Sequence, residues 1–152
     1  VSGAIADPVL TEFGKAQGAG AQYVPSVSPG AFGLGAAGLL QGKRATTHWA
    51  YHALLSETGA IPTIGRVVQD GSVVTGGGVT AGIDFAFALI EIVAGEKAAR
   101  RIQVALEYDP APKVPFADAA AVAGQDVSQF YAQRVEQFGA EVRAAMKQQQ
   151  SA

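Results

Sequence analysis

At 152 residues, 49% hydrophobic and only 16% charged, the chain carries enough apolar side chain to bury one core and too little charge to stay disordered. Thirteen acidic residues against eleven basic ones give a net charge of -2, which offers no basic face to nucleic acid or to an anionic membrane. The absence of cysteine excludes disulfides, thiolate metal sites and a cysteine nucleophile in this sequence.

The sequence opens at Val1-Ser2-Gly3, which reads as loop rather than as a charged leader ahead of an apolar stretch. A cytoplasmic fragment or processed chain is therefore expected. Asp7 and Pro8 are an N-cap and first-turn proline for a helix to about Lys15, ended by Gly18 to Gly20. Gln22 to Val27 predicts a strand, and Gly30 to Leu40 a helix closed by Gly42. Arg44 to Trp49 predicts the next strand, and Ala50 to Glu57 a short helix stopped at Gly59.

Arg66 to Gln69 and Ser72 to Thr75 predict a hairpin, because Asp70-Gly71 accepts the positive φ angles of a type I′ turn. Gly76-Gly77-Gly78 then opens a strand-to-helix junction into an apolar helix from about Thr80 to Ala94. The apolar run from Ile83, broken by Asp84 and Glu91, is too short for a bilayer and reads as a core helix. Glu96 to Leu106 predicts another helix. Pro110, Pro112 and Pro115 mark an extended connection. From Gln125 to Gln148, Val127, Tyr131, Val135, Phe138, Val142 and Ala145 fall at helical spacing and predict a docking stripe.

Strands alternating with helices predict the doubly wound α/β class, a mostly parallel sheet covered on both faces. Two crossover strands and a hairpin fall short of the five or six strands usual for such sheets, so the fold is expected to be incomplete in this chain.

The chemistry concentrates at Ser28. Tyr23-Val24-Pro25-Ser26-Val27 is an apolar strand that breaks at Ser28-Pro29 into a small-residue helix, the layout of a nucleophile elbow. A serine hydroxyl needs an adjacent base to attack anything, and no base neighbours Ser28 in sequence. Pro29 has no backbone N–H for an oxyanion hole, which leaves those of Gly30 and Ala31. Ser28 also suits a helix N-cap. His48, at a strand end, faces either the pocket or a structural hydrogen bond. His52 lies four residues on, but no third metal ligand is near, so no metal is expected. Gly77 lies in a glycine run that lacks phosphate-loop spacing and is read as a tight turn beside the elbow. Asp84 falls in a first helical turn, where a carboxylate complements the dipole.

Ser26-Val27-Ser28-Pro29-Gly30-Ala31, the run from Ala36 to Trp49 that ends in Ala45-Thr46-Thr47-His48-Trp49, and Thr75-Gly76-Gly77-Gly78-Val79-Thr80-Ala81-Gly82-Ile83-Asp84 together resemble the PfpI/ThiJ superfamily, and within it the isonitrile hydratases. The likeness runs from Val1 to about Asp109 and covers the second half of such a protein. It implies a flavodoxin-like, class I glutamine amidotransferase-like sheet. Residues 1–109 would be its second half, and 110–152 an extended connection and a C-terminal helix packing on the same domain.

The resemblance implies a lyase that hydrates an isonitrile to an N-substituted formamide without a cofactor. Ser28 stands at the family's cysteine nucleophile position, Gly30 and Ala31 give backbone donors, and Pro29, His48 and Gly77 border the pocket. The family's acidic residue lies on a strand that this sequence lacks. A separate N-terminal-half polypeptide or cleaved fragment is thus expected to complete the sheet, the completed unit forming a homodimer that binds a small molecule, with neither nucleic acid nor membrane as partner. The alternatives are a non-catalytic or small-molecule-sensing domain of the same fold, and a hydrolase in which a histidine approaches the Ser28 hydroxyl. Regulators related to the family add a basic helix-turn-helix, and nothing after Asp109 reads as one.

Overall fold

The computed structural model of the chain describes residues 2–110 and 124–150. Helix α1 (Ser2–Ala6) leads into α2 (Pro8–Gly20), whose start is set as the sequence predicts: the Asp7 carboxylate accepts the Val9 N–H at 2.9 Å, and Pro8 fills the first turn. Strand β1 (Val24–Val27) runs into α3 (Gly30–Ala36), followed by β2 (Arg44–Ala45), a 3-10 helix (Trp49–Thr58) and β3 (Ile61–Pro62). The hairpin β4 (Val67–Asp70) and β5 (Val73–Gly76) precedes α4 (Ala81–Ala94), α5 (Glu96–Ala105) and α6 (Gln125–Gln150).

One sheet has the order β1-β5-β4, with β1 and β5 parallel and the β4–β5 hairpin antiparallel; a second pairs β2 with β3 in parallel. The two are joined by side chains. The Arg44 N–H donates to the Asp70 carboxylate at 2.9 Å, and the Thr46 N–H donates to Thr75 Oγ1 at 2.9 Å. Helices α3 and α4 both pack against the β1-β5-β4 sheet. Phe32, Leu40, Leu55, Val74 and Val142 are fully buried, and Phe138 of α6 sets its ring edge-on to Phe32 at 4.9 Å.

Several elements depart from the sequence reading. Residues 2–6 are helical, not loop, and α2 continues past Lys15 to Gly20. Gly18 permits this course: a Cβ there would lie 2.6 Å from Leu39 Cδ1, so the glycine serves close approach rather than termination. Helix α3 ends at Ala36, four residues early, because Gly38 takes φ +74°. The predicted strand Arg44–Trp49 is a ladder over Arg44 and Ala45 alone. Beyond them the Thr46 and Thr47 hydroxyls bond the carbonyls of Gly65 and Ser28, and His48 caps the 3-10 helix through Nδ1, which accepts the Ala50 N–H at 3.3 Å. The hairpin loop is Gly71-Ser72, with positive φ at Gly71 only, so it is not the type I′ turn at Asp70-Gly71. Pro112 and Pro115 lie outside the described residues. Among the described residues no helix is long and apolar enough to cross a membrane.

Candidate active site

Strand β1 ends where two strand-to-helix junctions meet. In β1 the parallel register sets Ser26 beside Thr75 and Val27 beside Gly76, so the chain leaving β1 and the chain leaving β5 emerge together. Ser28, the first residue off the strand, has φ +56°, a left-handed conformation that L side chains adopt at a cost of about 1 kcal/mol or more. Three hydrogen bonds hold it there. Its N–H donates to the Gly76 carbonyl at 2.9 Å, and its own carbonyl accepts Thr47 Oγ1 at 2.6 Å and the Ala31 N–H at 3.4 Å. A sharp, strained residue on a strand-to-helix turn, fixed from both sides, is the geometry of a nucleophile elbow.

Among the described residues no group hydrogen-bonds the Ser28 hydroxyl, and none caps α3 through a side chain. Of the two backbone donors singled out in the sequence, Ala31 N–H turns back to the Ser28 carbonyl while Gly30 N–H meets no acceptor among the described residues. Pro29 occupies the α3 N-cap position. At the neighbouring junction Gly77 N–H donates to the Arg66 carbonyl at 3.0 Å, and the N–H groups of Gly78, Val79 and Thr80 meet no acceptor among the described residues. One open backbone donor at the start of α3 and three at the glycine turn thus follow strands β1 and β5, which are neighbours in the sheet.

The glycine turn packs against the chain leaving β2. A Cβ on Gly77 would make ordinary contact with the Thr47 carbonyl at 3.9 Å, and one on Gly78 with His48 Cδ2 at 3.4 Å, so space alone does not demand glycine at either position. His48 therefore stands beside the glycine turn, as part of a half-buried aromatic cluster with Trp49 at 5.6 Å, Tyr51 at 5.7 Å and Tyr131 of α6 stacked at 5.4 Å. Burial pushes the His48 pKa below its ordinary 6.5, and with Nδ1 accepting the Ala50 N–H the neutral ring keeps its proton on Nε2. Sequence reasoning could not see Tyr131 reaching His48 from the far end of the chain. It also missed Thr47, whose hydroxyl ties the neighbouring segment to the elbow; the only signal was a threonine pair following β2.

On the flank of β1 an apolar groove of about 360 Å³ runs between α2 and α3, lined by Leu10, Gly14, Ser26, Gly30 and Leu34 among others, without Ser28. No group of three His, Asp or Glu side chains suited to a metal ion occurs among the described residues.

Residues 3–92 match the DJ-1/PfpI family model. The chain belongs to the DJ-1/PfpI family. It is 58% identical over 106 residues to the isonitrile hydratase of Pseudomonas putida, an alignment covering 70% of this chain and 46% of that protein. Its fold matches a ThiJ/PfpI family protein of Pseudomonas syringae at TM-score 0.84 and 37% identity, covering 95% of this chain and 60% of that one. Oxidised DJ-1 of Toxoplasma gondii matches at TM-score 0.59 and 27% identity, over 68% of this chain and 55% of that one. This DJ-1/PfpI chain thus spans about half the length of the curated isonitrile hydratase that it matches, and the incomplete sheet is the structural counterpart of that ratio.

Proposed function

We propose that the chain provides the nucleophile side of an isonitrile hydratase-type site, centred on Ser28. The observation that carries this reading is the left-handed Ser28 at the end of β1, beside the open Gly30 N–H, in a chain 58% identical to an isonitrile hydratase over 106 residues. In the reaction, the nucleophile adds through its heteroatom to the terminal carbon of the isonitrile, and the displaced proton ends on that carbon, giving an imidate. Water then adds to the imidate carbon, and expulsion of the nucleophile, which regains its proton, leaves the N-substituted formamide. The open N–H groups would stabilise the charge that develops as the carbon–nitrogen bond order falls.

A thiol reaches its reactive anion near neutral pH, whereas the Ser28 hydroxyl has no base in hydrogen-bonding reach among the described residues. The serine site is accordingly slow, and the acidic group that moves protons comes from outside this chain. Two features support a further layer of strand and helix. Strand β1 has β5 on one side and no partner on the other among the described residues, and α2 leaves Val9, Leu10 and Phe13 exposed beside it. That layer belongs to the polypeptide carrying the family's first half, and the completed unit dimerises.

The test is formamide production from benzyl isocyanide by the protein isolated from its own cells, with Ser28→Cys alongside. Formamide from the Ser28→Cys protein supports the reading. Binding of the isonitrile without turnover by either protein replaces it with a sensing domain.

A further inference from the structure

We propose that Arg66 is a positioning residue for the Ser28 site, acting through the glycine turn Gly76–Gly78 and the first turn of α4; this rests on the reading of Ser28 as the nucleophile position.

Arg66 holds both ends of one segment. Its carbonyl accepts the Gly77 N–H at 3.0 Å, its Nη2 donates to the Thr80 carbonyl at 3.1 Å, and its Nε bonds the Asp84 carboxylate. The other Asp84 oxygen accepts the Tyr108 hydroxyl at 2.9 Å, which ties the chain after α5 to the same point. Between these anchors lie the unsatisfied N–H groups of Gly78, Val79 and Thr80, and just before them is the Gly76 carbonyl that accepts the Ser28 N–H.

Side-chain packing adds little to this segment. Gly77 is buried and Gly78 half-buried but neither has a side chain to interlock, and Val79 is 86% exposed, so its conformation leans on hydrogen bonds. A planar guanidinium can serve two acceptors in fixed directions, which an ammonium cannot. The Arg66 and Asp84 side chains are themselves 53% and 31% exposed, and an ion pair so placed contributes little to global stability. A change at Arg66 should therefore register at the site and hardly at all in the melting temperature.

The chain has no cysteine, so Ser28→Cys introduces a lone thiol at the elbow. Its thiolate fraction reports the backbone donors around it, read as the pH profile of alkylation by iodoacetamide and followed by intact mass. In that background Arg66→Gln is expected to raise the pH midpoint by about 0.5–1 unit, with Tm within about 3 °C of the parent. Asp84→Asn should shift it in the same direction, and Arg66→Lys should restore part of the effect. Arg44→Gln, which removes the ion pair to Asp70 at the other end of the hairpin, should leave the profile unchanged. His48, the titratable ring beside Gly78, is common to all variants. An unchanged midpoint in Arg66→Gln, or an equal shift in Arg44→Gln, overturns the proposal. No isonitrile enters the experiment, so failure of the hydratase reading and failure of this one are separate results.

Discussion

Thr47 donates its hydroxyl to the carbonyl of Ser28 at 2.6 Å, so the chain leaving β2 braces the strained residue that ends β1. Among the described residues, the only other partner of that carbonyl is the longer contact from Ala31 N–H at 3.4 Å. Replacing Thr47 by valine keeps the shape and removes the donor. It should cost about 1–2 kcal/mol in urea unfolding, and Thr47→Ser should recover most of it. Equal stability of the valine and threonine proteins would show that the bond does not brace the elbow.

Ser28 itself should respond in the opposite direction. Its φ of +56° is free of strain for glycine, so Ser28→Gly is expected to be neutral or to stabilise by up to about 1 kcal/mol while abolishing any chemistry at the site. A loss well beyond 1 kcal/mol, measured by thermal unfolding, would mean that the hydroxyl is structural.

Two glycines of α3 make a matched pair. A Cβ on Gly35 would lie 2.6 Å from the Thr58 side chain, so Gly35→Ala should destabilise by about 1–3 kcal/mol as the 3-10 helix is pushed away. Gly33 has nothing within 4 Å, and Gly33→Ala should add about 0.5–1 kcal/mol through helix propensity. Similar effects of the two changes would contradict the close approach of α3 to Thr58.

Burial lowers the pKa of His48, so the unfolded chain takes up this proton more readily than the folded one. Its contribution to stability is complete above the unfolded value near 6.5 and declines as pH falls through the lower folded value. Melting temperature should drop below pH 6.5, and in His48→Gln that part of the drop should vanish. The same slope in both proteins would assign it to other groups.

The elbow was legible because it is written locally: an apolar strand, an abrupt Ser28-Pro29 break and a small-residue helix. The two strands of the hairpin were equally legible, though the turn falls at Gly71-Ser72 and not at the Asp-Gly pair. Helix α4 was legible as a helix with Asp84 in its first turn but not as a core helix, since only Ala81 and Phe85 of it are buried. What was not legible depends on distance along the chain. Asp84 read as a dipole partner, yet it bonds Arg66, 18 residues away, and Tyr108, 24 residues away. Strand β3 is two residues long and contains Pro62, so it has no period to detect. Gly18 looked like a terminator because sequence records a missing side chain without saying what fills its place.

The most direct measurement of the central claim is the rate of N-benzylformamide formation from benzyl isocyanide by the protein isolated from its own cells, compared among Ser28, Ser28→Cys and Ser28→Ala. Cysteine should exceed serine by about 100-fold or more, and alanine should fall to background. Equal rates from all three would contradict a site built on residue 28.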